Sequence, residues 1–144
     1  MLIVTVMRND VGVAAARALE PVLSVFREVE MQVLVGVWRF NVDGCFERIV
    51  FELASGALHV TAEPDDDTVI VSAGSFDPEG GIDLSESWRD LIGAEFWWGW
   101  IAVNQQGYSD GVLLSFNGID PQVLLNVIAS SIVVRRIPPG PRNN

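Results

Sequence analysis

Residues 31–53 read MQVLVGVWRFNVDGCFERIVFEL, and the pair Asp43-Gly44 near their middle decides how the chain folds. Asp-Gly between two runs rich in Val, Ile, Phe and Trp is hairpin sequence, because both central positions of a tight hairpin turn need a left-handed backbone. Strands are therefore predicted at 31–42 and 45–53. Ser55-Gly56 turns the chain again into ALHVTAE, where Leu58, Val60 and Ala62 alternate with His59, Thr61 and Glu63. That period of two is what a strand with one buried face requires. Asp65-Asp66-Asp67 makes the next turn, and TVIVSA (68–73) completes a four-stranded antiparallel meander.

Working outward, VGVAAARALEPVLSVFREV (11–29) carries Val22, Val25, Phe26 and Val29 at helical spacing. Pro21 is expected to split it into two short helices or to start the second. The opening LIVTV reads as a strand or as an extension outside the core. On the other side, a Gly-rich loop (74–83) ends in Asp83 and Glu86, an Asp version of the capping box. With Leu84, Trp88, Leu91 and Ile92 on one face, a short capped helix is expected near 84–92, closed by Gly93.

Residues 95–104 return to strand. Strict alternation puts Phe96, Trp98, Trp100 and Ala102 on one face and Trp97, Gly99, Ile101 and Val103 on the other. Both faces are apolar, so this strand should be central, with its tryptophans in the core. YSDG (108–111) is expected as the turn and VLLSF (112–116) as the returning strand. PQVLLNVIA (121–129) fits a helix begun by Pro121 or a buried strand equally well. SIVVRRI (131–137) is a last strand, and 138–144 read as a flexible tail. The fold class expected is α+β: a mainly antiparallel β meander with an N-terminal helical segment and one short capped helix near 84–92. Residues 1–30 are a helical segment or extension, and 31–137 a single β-rich domain.

Length and composition bound the rest. The 144 residues, 49% hydrophobic, suffice for one domain with a real core. No window approaches the roughly 18 apolar residues of a membrane span, and MLIVTVMRND lacks the basic start of a signal peptide. A cytoplasmic protein, without membrane contact, is expected. Every basic residue is Arg, a bias of GC-rich and hence bacterial genomes. A net charge of −10 has the wrong sign for binding a phosphate backbone, so nucleic acid is not an expected partner. Cys45 is the single cysteine, and with the single histidine, His59, it falls short of a tetrahedral metal site. No G-x-S-x-G, phosphate-loop, H-E-x-x-H or C-x-x-C pattern occurs, so no catalytic, cofactor-binding or metal-binding residue is assigned.

Two features stand out as candidate binding residues. In NQQGYSDG (104–111), Asn104, Gln106, Tyr108 and Asp110 fall at alternate positions, offering amides, a phenol and a carboxylate on one face. The plainer reading is hairpin closure: Asn104 and Gln106 satisfying loop backbone, Tyr108 anchoring, Asp110-Gly111 turning. The second feature is charge. Between residues 63 and 90 stand Glu63, Asp65, Asp66, Asp67, Asp77, Glu79, Asp83, Glu86 and Asp90 against one base, Arg89. Such a run can steer a basic partner, or be merely solvated turns. Asp65, Asp66 and Asp67 lack the ligand spacing of a calcium loop. His59 is expected exposed and neutral, and Cys45 partly buried and inert.

The stretch from about Val33 to Ile137 resembles a small bacterial family known only as a domain of unknown function. The likeness rests on Asp43-Gly44-Cys45-Phe46, on Glu63 and Asp65 to Thr68, on Trp100-x-x-x-Asn104-x-Gln106-Gly107-Tyr108-x-Asp110-Gly111, and on Ala129-Ser130-Ser131-Ile132. The resemblance implies a compact mixed fold, favours extended structure at 122–128, and brings no activity with it. Three functions follow as expectations. The first is a non-enzymatic interaction module, immunity-protein-like, whose acidic surface 63–90 meets a basic protein. The second is a small-ligand binder or minor enzyme with a pocket at Trp98, Trp100 and the Asn104–Asp110 turn. The third is a homodimer formed through an apolar face of the Trp-rich sheet.

Overall fold

The structure is a computed structural model that describes residues 2–4 and 12–138, with side chains from residue 21 onward. Strand β1 (Leu2–Val4) and helix α1 (Gly12–Val29) lead into the meander β2 (Leu34–Val42), β3 (Phe46–Leu53), β4 (Gly56–Ala62) and β5 (Val69–Gly74). A two-residue strand, β6 (Ile82–Asp83), returns to the far edge of β2. Four longer strands follow: β7 (Phe96–Val103), β8 (Ser109–Phe116), β9 (Val123–Ile128) and β10 (Ser131–Arg136). They form two antiparallel five-stranded sheets, ordered β5-β4-β3-β2-β6 and β1-β7-β8-β9-β10. Asp43 and Gly44 take φ of 54° and 70°, the left-handed pair that the β2–β3 turn demands.

The core lies between the sheets. Val37, Ile49, Phe51, Leu58, Val60 and Ala62 face Phe96, Val112, Leu114, Phe116, Val123 and Leu125, all buried. Each of these side chains larger than Ala contributes about 1.5–3 kcal/mol over its exposed state. At one corner the sheets are continuous, for Met31 N–H donates to Phe96 O (2.8 Å) and Leu34 N–H to Ala94 O (2.8 Å). At another, side chains replace the ladder. The Glu47 carboxylate accepts Ile132 N–H (2.9 Å), while Arg39 donates to Ile132 O (3.2 Å) and pairs with Glu47 at 3.3 Å.

Four expectations need correction. Helix α1 runs unbroken through Pro21. An interior proline costs about 3 kcal/mol, and burying Phe26 and Val29 between the sheets is enough to offset it. The capped helix near 84–92 is only a 3₁₀ turn, Ser85–Trp88, followed by further turns. Its flanks are both tied to β2, by Leu84 N–H to Val37 O and Gly93 N–H to Leu34 O. Those acceptors lie about 10 Å apart along the strand, whereas 84–92 as α-helix would span about 13 Å. Asp83 accepts Ser85 N–H (2.9 Å), and Glu86 pairs with Arg89 instead of reaching back.

In β7 a bulge between Phe96 and Trp98 breaks the alternation, so Phe96 shares the core with Ile101, and Trp97 turns outward. Trp98 packs beside Phe26 with ring centroids 5.8 Å apart, and Trp100 is half-buried. The turn after β7 spans Asn104 to Tyr108, not 108–111, and Ser109 already belongs to β8. Residues 121–129, left open between helix and strand, hold the strand β9. Residues 5–11 and 139–144 lie outside the described residues, and most of the expected tail is among them.

Candidate functional site

Three turns meet at one end of the sandwich: β4–β5, β7–β8 and β9–β10. Between them is a cleft of about 320 Å³, lined by Asp66, Asp67, Asn104, Gln106, Tyr108, Asp110, Val127, Ile128 and Ala129. Six of the seven candidate binding residues are thereby brought together. Asp65 is exposed outside the lining, and neither Trp98 nor Trp100 contributes to it.

Asn104 builds the β7–β8 turn. Its Oδ1 accepts N–H groups from Gln106 (2.9 Å) and Tyr108 (3.1 Å), while its own N–H donates to Tyr108 O (2.9 Å). Gly107, at φ 88°, supplies the left-handed residue that closes the loop. Hairpin closure is therefore real for Asn104, and it coexists with a place in the cleft wall. Its Nδ2 lies 3.4 Å from Asp110 Oδ2, while Asp110 Oδ1 is buried without a donor. The Tyr108 ring is about half exposed, and Gln106 is exposed beside it.

On the opposite wall, Asp66 Oδ1 accepts both the N–H (3.1 Å) and the hydroxyl (2.6 Å) of Thr68, an Asx turn that sets the loop. Asp67, at φ 54°, accepts Ser130 N–H at 2.9 Å, which ties the β4–β5 turn to the β9–β10 turn. Among the described residues no Arg lines the cleft, and three carboxylates set a negative field over it. Val127, Ile128 and Ala129 add an apolar wall. The sequence reading missed this wall. The signal was Ala129-Ser130 as a two-residue hairpin loop, visible once 121–129 is taken as strand.

That loop carries strain. Ala129 and Ser130 stand at φ 51° and 66°, where a side chain with Cβ is disfavoured by about 1–2 kcal/mol. Ala129→Asn should therefore raise stability by about 0.5–1 kcal/mol, read as a higher Tm in thermal denaturation.

The remaining acids do not join the cleft. The β4–β5 turn and the loop after β5 stand at opposite ends of β5, so the run 63–90 does not form one surface. Asp77 caps Glu79 N–H (3.0 Å). Hydrogen bonds from Ser85 hold the Asp83 carboxyl below its ordinary value. Arg136, paired with Asp90 at 2.6 Å, does the same there. His59 is half-buried on the outer face of β4, its Nε2 3.0 Å from Ser75 O. Burial pushes its imidazole below the ordinary value; the Ser75 bond opposes this, and the Arg48 charge adds to it. Cys45, expected partly buried, is exposed at the β2–β3 turn. Among the described residues no cluster of three His, Cys, Asp or Glu is arranged to hold a metal, and no helix is long and apolar enough to cross a membrane.

Residues 21–140 match a family model described as a family of unknown function, DUF6334. The chain belongs to this family. The DUF6334 match takes in every residue of the cleft and begins inside α1, so it includes the part of the helix that carries Phe26 and Val29. Among curated proteins and among solved structures, none matches the chain.

Proposed function

We propose that this DUF6334 domain is a non-enzymatic interaction module that docks a basic segment of a partner protein at the acidic end of the sandwich. The supporting observation is convergence: turns far apart in sequence put Asp66, Asp67 and Asp110 around one cleft with Gln106, Tyr108 and an apolar wall. A Lys or Arg side chain suits that mixture. Its methylene stem packs on Val127 and Ile128 while the cation meets carboxylates and the Tyr108 ring. The clustered charge would also speed encounter with a basic surface. A bacterial cytoplasmic immunity protein, masking the basic active site of a toxin, is one concrete form of this role.

Affinity capture from the native lysate, with mass spectrometry, tests the reading. A basic partner should be retained in a salt-sensitive way and lost by at least about tenfold in the D66N/D67N/D110N variant, since each desolvated charge contact is worth over 1 kcal/mol. Retention by that variant equal to the native chain would sink the proposal. The cleft volume also sits at the lower bound of small-molecule sites, about 300 Å³. A free cationic ligand such as arginine or a polyamine is thus the second reading. It predicts a thermal shift with the ligand alone and no captured protein.

A further inference from the structure

The cleft walls offer acceptors that have no donor among the described residues. Asp66 and Asp67 each commit Oδ1, to Thr68 and to Ser130, and the Oδ2 atom of each is left open. Across from them Asp110 has Oδ1 buried without a donor, and its Oδ2 has only the long contact from Asn104 at 3.4 Å. A carboxylate so poorly compensated calls for a cation. The side-chain amide of Gln106 is likewise unengaged in the lining. Beside it the Tyr108 ring is 51% exposed and free for contact. Asn104 fixes the backbone of both residues through its Oδ1, at 2.9 and 3.1 Å, so this side of the cleft has little freedom to lose on binding.

Resting on the docking of a basic segment at this site, we propose that the cleft is selective for arginine: it takes one Arg side chain of that segment and discriminates against Lys. The open acceptors stand on two walls, with Asp66 and Asp67 on one and Asp110 on the other. An ammonium is a compact point charge with three donors. A guanidinium carries five donors in one plane, along two edges, and so serves both walls at once while its face lies on the Tyr108 ring. It is also the more weakly hydrated cation, and loses less water on entering a cleft of about 320 Å³ with an apolar side of Val127 and Ile128. Those two residues receive the methylene stem. A separate observation points the same way. All 9 basic residues of this chain are Arg, and a partner encoded with the same bias presents Arg as its cation.

Two-dimensional NMR titration of the native chain with N-acetyl-arginine methylamide, and with its lysine and citrulline counterparts, tests this. The arginine probe should shift the amides of 66–68, 104–110 and 127–130 and bind at least about tenfold tighter than the lysine probe. Citrulline, similar in shape but uncharged, should shift none of them. Tyr108→Leu, a change at an exposed side chain, should bring the arginine and lysine probes to within about threefold of each other. Equal or tighter binding of the lysine probe, binding of citrulline, full preference retained in Tyr108→Leu, or free L-arginine binding tighter than the blocked probe would each overturn the proposal. A cleft left unshifted by the arginine probe, while the D66N/D67N/D110N variant still loses a basic partner from the lysate, would sink the arginine assignment alone. If that variant also retained the partner, the docking reading would fall with it.

Discussion

Gly99→Val should destabilise the fold by about 3 kcal/mol, read as a lower urea midpoint. Gly99 sits in the middle of β7, at φ where other residues are allowed, so turn geometry does not call for it. What demands glycine is the helix: a Cβ there would stand 2.4 Å from the Phe26 ring. That ring is wholly buried and meets Phe96 at 6.2 Å and Trp98 at 5.8 Å, so it has nowhere to retreat. Phe26→Ala alone should cost about 3–5 kcal/mol as a cavity. The two changes share one space, so the double variant should be less damaged than the sum by about 1 kcal/mol or more. Strict additivity would mean that α1 does not dock there.

This contact also marks a limit of what the sequence reveals. Period two made β4 legible residue by residue, and Asp43-Gly44 announced the first hairpin, because both are local signals. Phe26 was readable as one face of a helix; that it fills the space above a glycine over seventy residues later is a tertiary fact. The 84–92 segment failed for the same reason. Its cap and spacing are helical, but bonds to Val37 and Leu34 fix both flanks to one strand and leave room only for tight turns. Asn104, Gln106, Tyr108 and Asp110 were found as an alternating set, and Asp66 and Asp67 as a charged turn. Their convergence depends on Asp67 reaching Ser130, a bond between residues whose adjacency no periodicity encodes.

Glu47→Ala should cost about 2–3 kcal/mol and loosen the cleft as well. Its carboxylate accepts Ile132 N–H and pairs with Arg39, while its backbone N–H donates to Ser130 O at 3.1 Å. Truncation orphans a buried N–H and leaves Arg39, whose Nε already lacks a partner, without its counter-charge. Glu47→Gln keeps an acceptor for Ile132 and should cost about 1 kcal/mol, the share owed to charge. Replacing the pair by apolar residues, a rescue that often works for isolated buried ion pairs, should fail here. The backbone groups of Ile132 would still have no ladder partner on β3, so the double variant should remain at least about 1 kcal/mol below the native chain in chemical denaturation. Since β10 begins one residue beyond Ser130, the same variants should weaken basic-partner binding without touching a cleft residue.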